Sequence, residues 1–147
     1  MFTELSRVTY LFFNHELAGG EGGAPGGEHT LDREVRLESS DGSTLHVSWT
    51  SSPVQYCLGV QEQSWFTPGD AAEVDVTTRE PWRSLVGGPI EFLWQEPEHQ
   101  VLELRGKGSS VFLSSREGKN WCADVVTISD SRPELPSNTS LERTRAR

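Results

Sequence analysis

Apolar and polar residues alternate along much of the chain with the two-residue period of a half-buried β-strand. Residues 7–15 differ, because both of their faces are apolar: Val8, Tyr10 and Phe12 on one side, Thr9, Leu11 and Phe13 on the other. A strand with two apolar faces is typical of the centre of a sheet. We therefore predict a central, buried strand at residues 7–15.

A regular meander follows from residue 34 onward. Val35 and Leu37 alternate with charged residues, and a second alternating run begins after Asp41-Gly42. Asp-Gly between two alternating runs is a strong hairpin signal, since both residues tolerate the turn conformation. A third run at residues 54–60 follows Pro53. The pattern predicts three consecutive antiparallel strands.

The second half of the chain predicts a short helix between strands. After a short strand at residues 73–76, Thr77 and Thr78 offer an N-cap, Pro81 a first turn, and Gly87 a C-cap. This spacing predicts a helix of two turns. Further strands are expected at 90–94, 101–104, 111–113 and 121–128, with a hairpin turn at residues 96–100.

The fold class that follows is mainly β. We expect two antiparallel β-meanders that form a bent sheet, sandwich or barrel-like unit with one short helix. Residues 42–48 (GSTLHVS) also match residues 108–114 (GSSVFLS) in register. This favours an internal pseudo-repeat of residues 7–66 and 80–130, although strands share composition and the match can also arise by chance.

Domain organisation follows from the length of 147 residues and from the ends of the pattern. We expect a single β-rich domain over residues 1–130. The glycine-rich segment 18–27 reads as a mobile surface loop, since it lacks the lysine of a phosphate-binding loop. Residues 131–147 lack an apolar period and predict a disordered or loosely docked tail.

Charge restricts the classes of partner. The formal net charge is −9, and the tail at 131–147 has four arginines against two glutamates, which leaves −11 for residues 1–130. Nucleic acids and anionic lipids attract Lys and Arg, so we expect neither as a partner. A negative surface attracts a basic protein instead, although it also serves solubility alone.

Targeting signals and cysteines indicate the cellular compartment. No apolar run approaches the ~20 residues of a membrane span, and the N-terminus does not resemble an export signal. We expect a cytoplasmic protein. Cys57 and Cys122 fit two buried thiols or a single disulfide, and the sequence does not decide between them.

Catalytic and metal-binding patterns are not found in the sequence. None of the four histidines has a nucleophile motif beside it, and His46 is expected to face solvent from mid-strand. Glu96, Glu98 and His99 are close enough to hold a divalent ion weakly, but their spacing matches no known metal motif. We therefore predict no catalytic residue, no cofactor and no metal.

The five tryptophans divide into core and surface candidates. Trp49, Trp94 and Trp121 fit the inward faces of their strands, and Trp82 fits the helix face that packs on a sheet. Trp65 and Phe66 follow the meander without a period and stand next to a turn. An exposed aromatic pair of this kind is a common hot spot of a protein interface.

Two short motifs resemble a known class of protein. Leu85-Val86-Gly87 leads from the predicted helix into strands, and Trp121-Cys122-Ala123-Asp124-Val125-Val126-Thr127-Ile128 forms a closing strand. Over residues 80–130 the chain is similar to small bacterial immunity-type proteins, which neutralise toxins. The resemblance implies a β-rich binding protein and supplies no functional residue.

These observations together predict a non-enzymatic cytosolic protein-binding module. The most specific version of this prediction is an immunity or antitoxin-type inhibitor of a basic partner, such as a toxin or effector enzyme. The alternatives are a small-molecule-binding β-barrel and a hydrolase with an unrecognised site. The expected partner-binding residues are Glu62, Trp65, Phe66, Glu96 and Glu98.

Overall fold

The structure is a computed structural model. It describes residues 2–13, 23–24, 28–31, 33–50, 57–67, 69–117, 120–121 and 126–133. The strands are, in chain order, β1 Leu5–Phe13, β2 Gly23–Ala24, β3 Glu28–Leu31, β4 Glu34–Ser39, β5 Thr44–Thr50, β6 Cys57–Gln61, β7 Ala71–Asp75, β8 Glu91–Trp94, β9 Val101–Arg105, β10 Ser110–Ser114, β11 Arg116–Glu117, β12 Asn120–Trp121 and β13 Val126–Ser129.

The strands form two main antiparallel sheets. The first has the order β6-β5-β4-β1-β7, so the predicted meander β4-β5-β6 and the central position of β1 are confirmed. The second has the order β2-β3-β13-β10-β9-β8, and β11 pairs with β12 in a separate ribbon. In the described part of the chain the sheets do not close into a barrel. The predicted β-rich fold of two meanders is therefore present in its two-sheet form.

Side chains from both sheets meet in one hydrophobic core. The period of two places Val8, Tyr10 and Phe12 on the inward face of β1, next to the inward residues of β4. Leu102, Leu104, Val111 and Leu113 contribute from the second sheet. Each such side chain contributes about 1.5–3 kcal/mol when it is fully buried, so the shared core holds the two sheets together.

The second face of β1 is buried as well. Thr9 and Leu11 are only 2% and 3% exposed, although they point away from the core that the two sheets share. They lie beside the outward-facing Arg36 of β4 and Glu73 of β7. The apolar character of both faces of this strand in the sequence is thus matched by burial on both faces.

The predicted helix is a single 3-10 turn, Trp82–Ser84. The expected threonine N-cap was wrong, because Thr77 is used elsewhere. The Thr77 hydroxyl accepts a hydrogen bond from the Val8 amide at 3.1 Å, which ties the end of β7 to β1, and the Thr77 amide donates to Asp75 Oδ1 at 2.8 Å. The predicted Gly87 C-cap was wrong as well, because Leu85 caps the turn; Gly87 lies two residues further on, with a φ of +97° that favours glycine.

Part of the glycine-rich segment forms strand, contrary to the prediction of a loop. Gly23–Ala24 pairs with β3, and β3 pairs with β13 of the second sheet. The chain therefore leaves the first sheet after β1, adds strands to the second sheet, and returns at β4. The rest of residues 18–27, Cys122 and residues 134–147 lie outside the described residues, as does the side chain of Cys57.

The two sheets share a strand order. Each contains four consecutive neighbours that run up and down, β1-β4-β5-β6 in the first and β8-β9-β10-β13 in the second. The predicted segment 80–130 contains the second of these meanders, whereas the segment 7–66 contains strands of the first sheet and also β2 and β3 of the second. Since strand order alone does not establish common descent, the duplication stays a prediction.

Trp82 joins the turn to β1 through a buried hydrogen bond. Its indole Nε1 donates to the Tyr10 hydroxyl at 2.6 Å, and the two rings meet edge to face. Both side chains are fully buried. Burial raises the pKa of Tyr10 far above its ordinary value, because the phenolate would lose its hydration.

We expect Tyr10→Phe to lower the free energy of unfolding by about 1–3 kcal/mol, because the indole N–H of Trp82 would be left buried without its acceptor. Urea unfolding at neutral pH measures this. The double variant Tyr10→Phe with Trp82→Phe serves as a double-mutant cycle and should show a clear coupling energy. Additive effects of the two substitutions would contradict the role of the hydrogen bond.

Alkaline pH should weaken the native protein through the same residue. An unfolded tyrosine ionises near pH 10, whereas folded Tyr10 keeps its proton, so stability should fall by about 1.4 kcal/mol per pH unit above that point. Urea unfolding at a series of pH values up to about 11 would show a shallower decline in Tyr10→Phe. Equal slopes for the two proteins would contradict the raised pKa.

Candidate functional site

A surface groove lies where the N-terminal segment meets the β4–β5 turn. The Glu4 carbonyl accepts hydrogen bonds from the Ser40 amide and the Ser39 hydroxyl, which fixes the segment to the turn. Phe2 forms an antiparallel bridge with Ile90, in which both amide-to-carbonyl distances are 3.0 Å. The turn itself is held by Gly42, with a φ of +94°, and by the Asp41 carboxylate, which accepts the Ser43 amide at 2.9 Å.

The groove has a volume of about 480 Å³ and an acidic edge. Leu45, half-buried, and Phe2 give it an apolar part, and Glu62 stands at its edge. Glu62 is exposed and forms no ion pair with the residues that the structure describes. A second depression of about 340 Å³ is lined by Gln61, Glu62 and Gln63. Glu62, one of the predicted contact residues, thus stands between two concave surfaces.

Trp65 and Phe66 are half-buried. The Trp65 ring packs over Gly59 of β6 so closely that a Cβ there would lie 3.4 Å from it. The Trp65 amide donates to Glu34 Oε1 at 3.0 Å. The pair is therefore less exposed than the sequence suggested, because its backbone is anchored to β4.

Glu34 is the anchor of this segment. Its carboxylate is fully buried and also accepts the Ser64 hydroxyl at 2.8 Å and approaches His46 Nδ1 at 2.7 Å. A buried carboxylate is stable only when it is hydrogen-bonded in this way. The prediction that His46 faces solvent was wrong. It does point away from the core, but the imidazole is buried to 5% exposure beside Glu34.

This cluster is arranged for anchoring. In a Ser–His–acid triad the hydroxyl bonds to the imidazole, which in turn bonds to the carboxylate. Here the hydroxyl of Ser64 and the imidazole of His46 both bond to the same oxygen, Glu34 Oε2. Sequence reasoning missed the cluster because Ser64 belongs to an aperiodic segment, and no local motif predicts which strand it crosses.

Glu96 organises the β8–β9 turn. Its carboxylate accepts the amides of Glu98, Gln100 and Val101 at 2.5–3.0 Å. The half-buried Glu98 lies in the same turn. The predicted hairpin turn at residues 96–100 is confirmed, and Glu96 has a structural task that the sequence did not indicate.

His99 connects this turn to its surroundings. Its ring stacks on Trp94 at 4.0 Å between centroids, and its φ is +59°, an unusual value for a residue other than glycine. Its carbonyl accepts the Leu58 amide at 2.8 Å. The β8–β9 turn therefore lies against the start of the edge strand β6.

The five predicted contact residues do not form one patch. Glu62 follows the end of β6, Glu96 and Glu98 lie in the turn that touches its start, and Trp65 covers its outer face. They are thus distributed along one edge of the first sheet. Only Glu62 lines the groove.

The described residues contain neither a group of metal ligands nor a membrane-spanning helix. Among them, no three His, Cys, Asp or Glu side chains are grouped closely enough to hold a metal ion. Within the same residues, no helix is long and apolar enough to cross a membrane.

Comparison with known proteins gave no relatives. The chain matches no family model, no curated protein and no solved structure.

We expect Glu34→Gln to release the 64–66 segment, because a neutral amide accepts fewer and weaker hydrogen bonds than the carboxylate. The free energy of unfolding should fall by about 1.5–3 kcal/mol, and the Trp65 amide should exchange with solvent faster. Hydrogen exchange followed by NMR measures the second effect. Glu62→Gln, the same change at an exposed position, is the control and should stay within about 0.5 kcal/mol of the wild type.

Proposed function

We propose that this protein binds a basic protein partner in the cytoplasm and acts by that binding, without catalysis. The most specific version of this proposal is that the protein inhibits a toxin or effector enzyme, as immunity-type proteins do. The observation that carries the proposal is the groove between Phe2 and Leu45, with the exposed carboxylate of Glu62 at its edge.

The groove suits a lysine or arginine side chain. Such side chains lay their aliphatic stems on apolar surface and keep the charged head in contact with water or a carboxylate. Leu45 supplies the apolar surface and Glu62 the carboxylate, so one residue of each kind is in place. The hydroxyl-bearing Ser43 and Thr44 line the same groove and offer hydrogen-bond acceptors.

The distribution of ion pairs leaves Glu62 available to a partner. Four arginines are each occupied by a carboxylate of this chain: Arg7 by Asp75, Arg36 by Glu73, Arg83 by Glu80 and Arg105 by Glu103. Surface pairs of this kind contribute little to stability. The acidic residues outside these four pairs leave a net negative charge, which would raise the association rate of a basic partner.

Charge reversal at the groove tests the proposal. Wild-type protein is used to isolate its partner from lysate of the native cell, and the association rate of the purified partner is then measured. We expect a partner of basic isoelectric point, and an association rate with Glu62→Lys slowed by about tenfold or more at low salt. The rate with wild type should also fall as salt is added.

Asp130→Lys is the matched control, since Asp130 is an exposed acid directly after β13, three strands away from β8 in the second sheet, and its reversal changes the net charge equally. It should lower the rate only slightly. Glu96 is a poorer choice for charge reversal, because its loss would disturb the β8–β9 turn. An acidic or neutral partner, or equal rates for Glu62→Lys and Asp130→Lys, would refute the proposal.

A further inference from the structure

Among the described strands, β8 ends the order of the second sheet and has no neighbouring strand on the side away from β9. The Ile90 amide and carbonyl bond to Phe2, on the side away from β9, whereas the Gln95 amide bonds to Val101 of β9. Because main-chain groups alternate in direction along a strand, those of Phe92 and Trp94 also point away from β9. Neither residue has a main-chain partner on that side among the described residues.

This edge is apolar, which is uncommon. Proteins usually protect edge strands with charged residues, proline or a covering segment. The edge strand β7 follows that rule, since Glu73 and Asp75 alternate along it and pair with arginines. In β8 only Glu91 is charged, and it is followed by Phe92, Leu93 and Trp94, all half-buried, of which Phe92 and Trp94 pack against the core.

The chain already uses this edge at one position. Phe2 pairs side by side with Ile90, the residue before β8, and its ring packs edge to face on the Phe92 ring, with 5.4 Å between the centroids. The main-chain N–H and C=O groups of Phe92 and Trp94 point to the same side of the strand as those of Ile90. A second extended segment could therefore pair with β8 at Phe92 and Trp94, next to the position that Phe2 occupies.

Carboxylates stand at both ends of this edge. Glu62 shares the groove with Phe2 at one end. At the other end Glu96 and Glu98 lie in the turn that follows β8, where the Glu96 carboxylate already accepts three main-chain amides. From Ile90 to Glu96 an extended chain covers about 20 Å, at ~3.3 Å per residue. A segment with two Lys or Arg residues about six positions apart would place one cation near each end.

We infer that an extended, basic segment of a protein partner adds to the β8 edge as a further strand, with main-chain hydrogen bonds to Phe92 and Trp94. This inference rests on the proposed function and specifies how the partner is held. Main-chain pairing supplies affinity in strand addition, and charges at the two ends select a basic sequence.

Amide hydrogen exchange of the full chain, followed by NMR, tests the inference. The probe is a short acetylated peptide of alternating lysine and valine, added at low salt. We expect exchange of the Phe92 and Trp94 amides to slow by about tenfold or more at saturation, following the population of the bound state. The Leu93 amide, which already faces β9, is the internal control and should not change.

A second probe changes the peptide and leaves the protein unaltered, so a loss of binding cannot come from a misfolded protein variant. N-methylation of alternate amides in the peptide preserves its charge but removes its donors, and should weaken binding by about tenfold or more. Equal affinity of the two peptides would overturn strand addition.

The outcomes separate this inference from the proposed function. Binding that protects other amides, for example those of β6, would overturn the inference and leave a basic partner in place. Protection of Phe92 and Trp94 that grows with protein concentration alone would assign the edge to a second copy of the chain, which overturns the inference too. If neither the peptide nor any basic protein binds, both proposals fail.

Discussion

The two-sided burial of β1 is the constraint on which the rest of the structure depends. Its inward row, with Tyr10 at the centre, joins the core that both sheets share, and its outward Thr9 and Leu11 are buried as well. A strand of this kind must have neighbours on both edges, and β4 and β7 supply them. The Tyr10–Trp82 hydrogen bond then fixes the segment that leads into the second sheet. Both halves of the protein are therefore positioned relative to one strand.

The residues with the clearest alternation were the ones that the sequence predicted best. Val35, Leu37 and Val47 occupy inward positions of β4 and β5 as expected, because a period of two leaves only one face for the core. Asp41 and Gly42 form the predicted turn for reasons of local conformation. These features depend on neighbours in sequence, and sequence patterns report such neighbours directly.

The features that were missed depend on residues far apart in sequence. β3 has one apolar residue, Leu31, and is strand only because it pairs with β13. His46 is buried only because the segment of Ser64 crosses β5 and is held by Glu34. Thr77 was expected to begin a helix, but its hydroxyl bonds to β1 across the sheet. A propensity or cap signal gives no account of such tertiary partners, so the sequence predicted the type of fold better than the position of its polar residues.

The same distinction applies to the candidate site and explains how its parts fit together. Composition predicted an acidic protein, but it did not indicate which acids are occupied within the chain. Glu34 and Glu96 serve the structure, since their carboxylates are satisfied by amides and a hydroxyl. Glu62 has no such task among the described residues, and it lies at the end of an apolar sheet edge instead. An apolar edge attracts other strands without selection, and flanking carboxylates restrict that attraction to basic sequences. In the strand addition that we propose, the negative charge would therefore act beyond solubility, by selecting which chain can pair with β8.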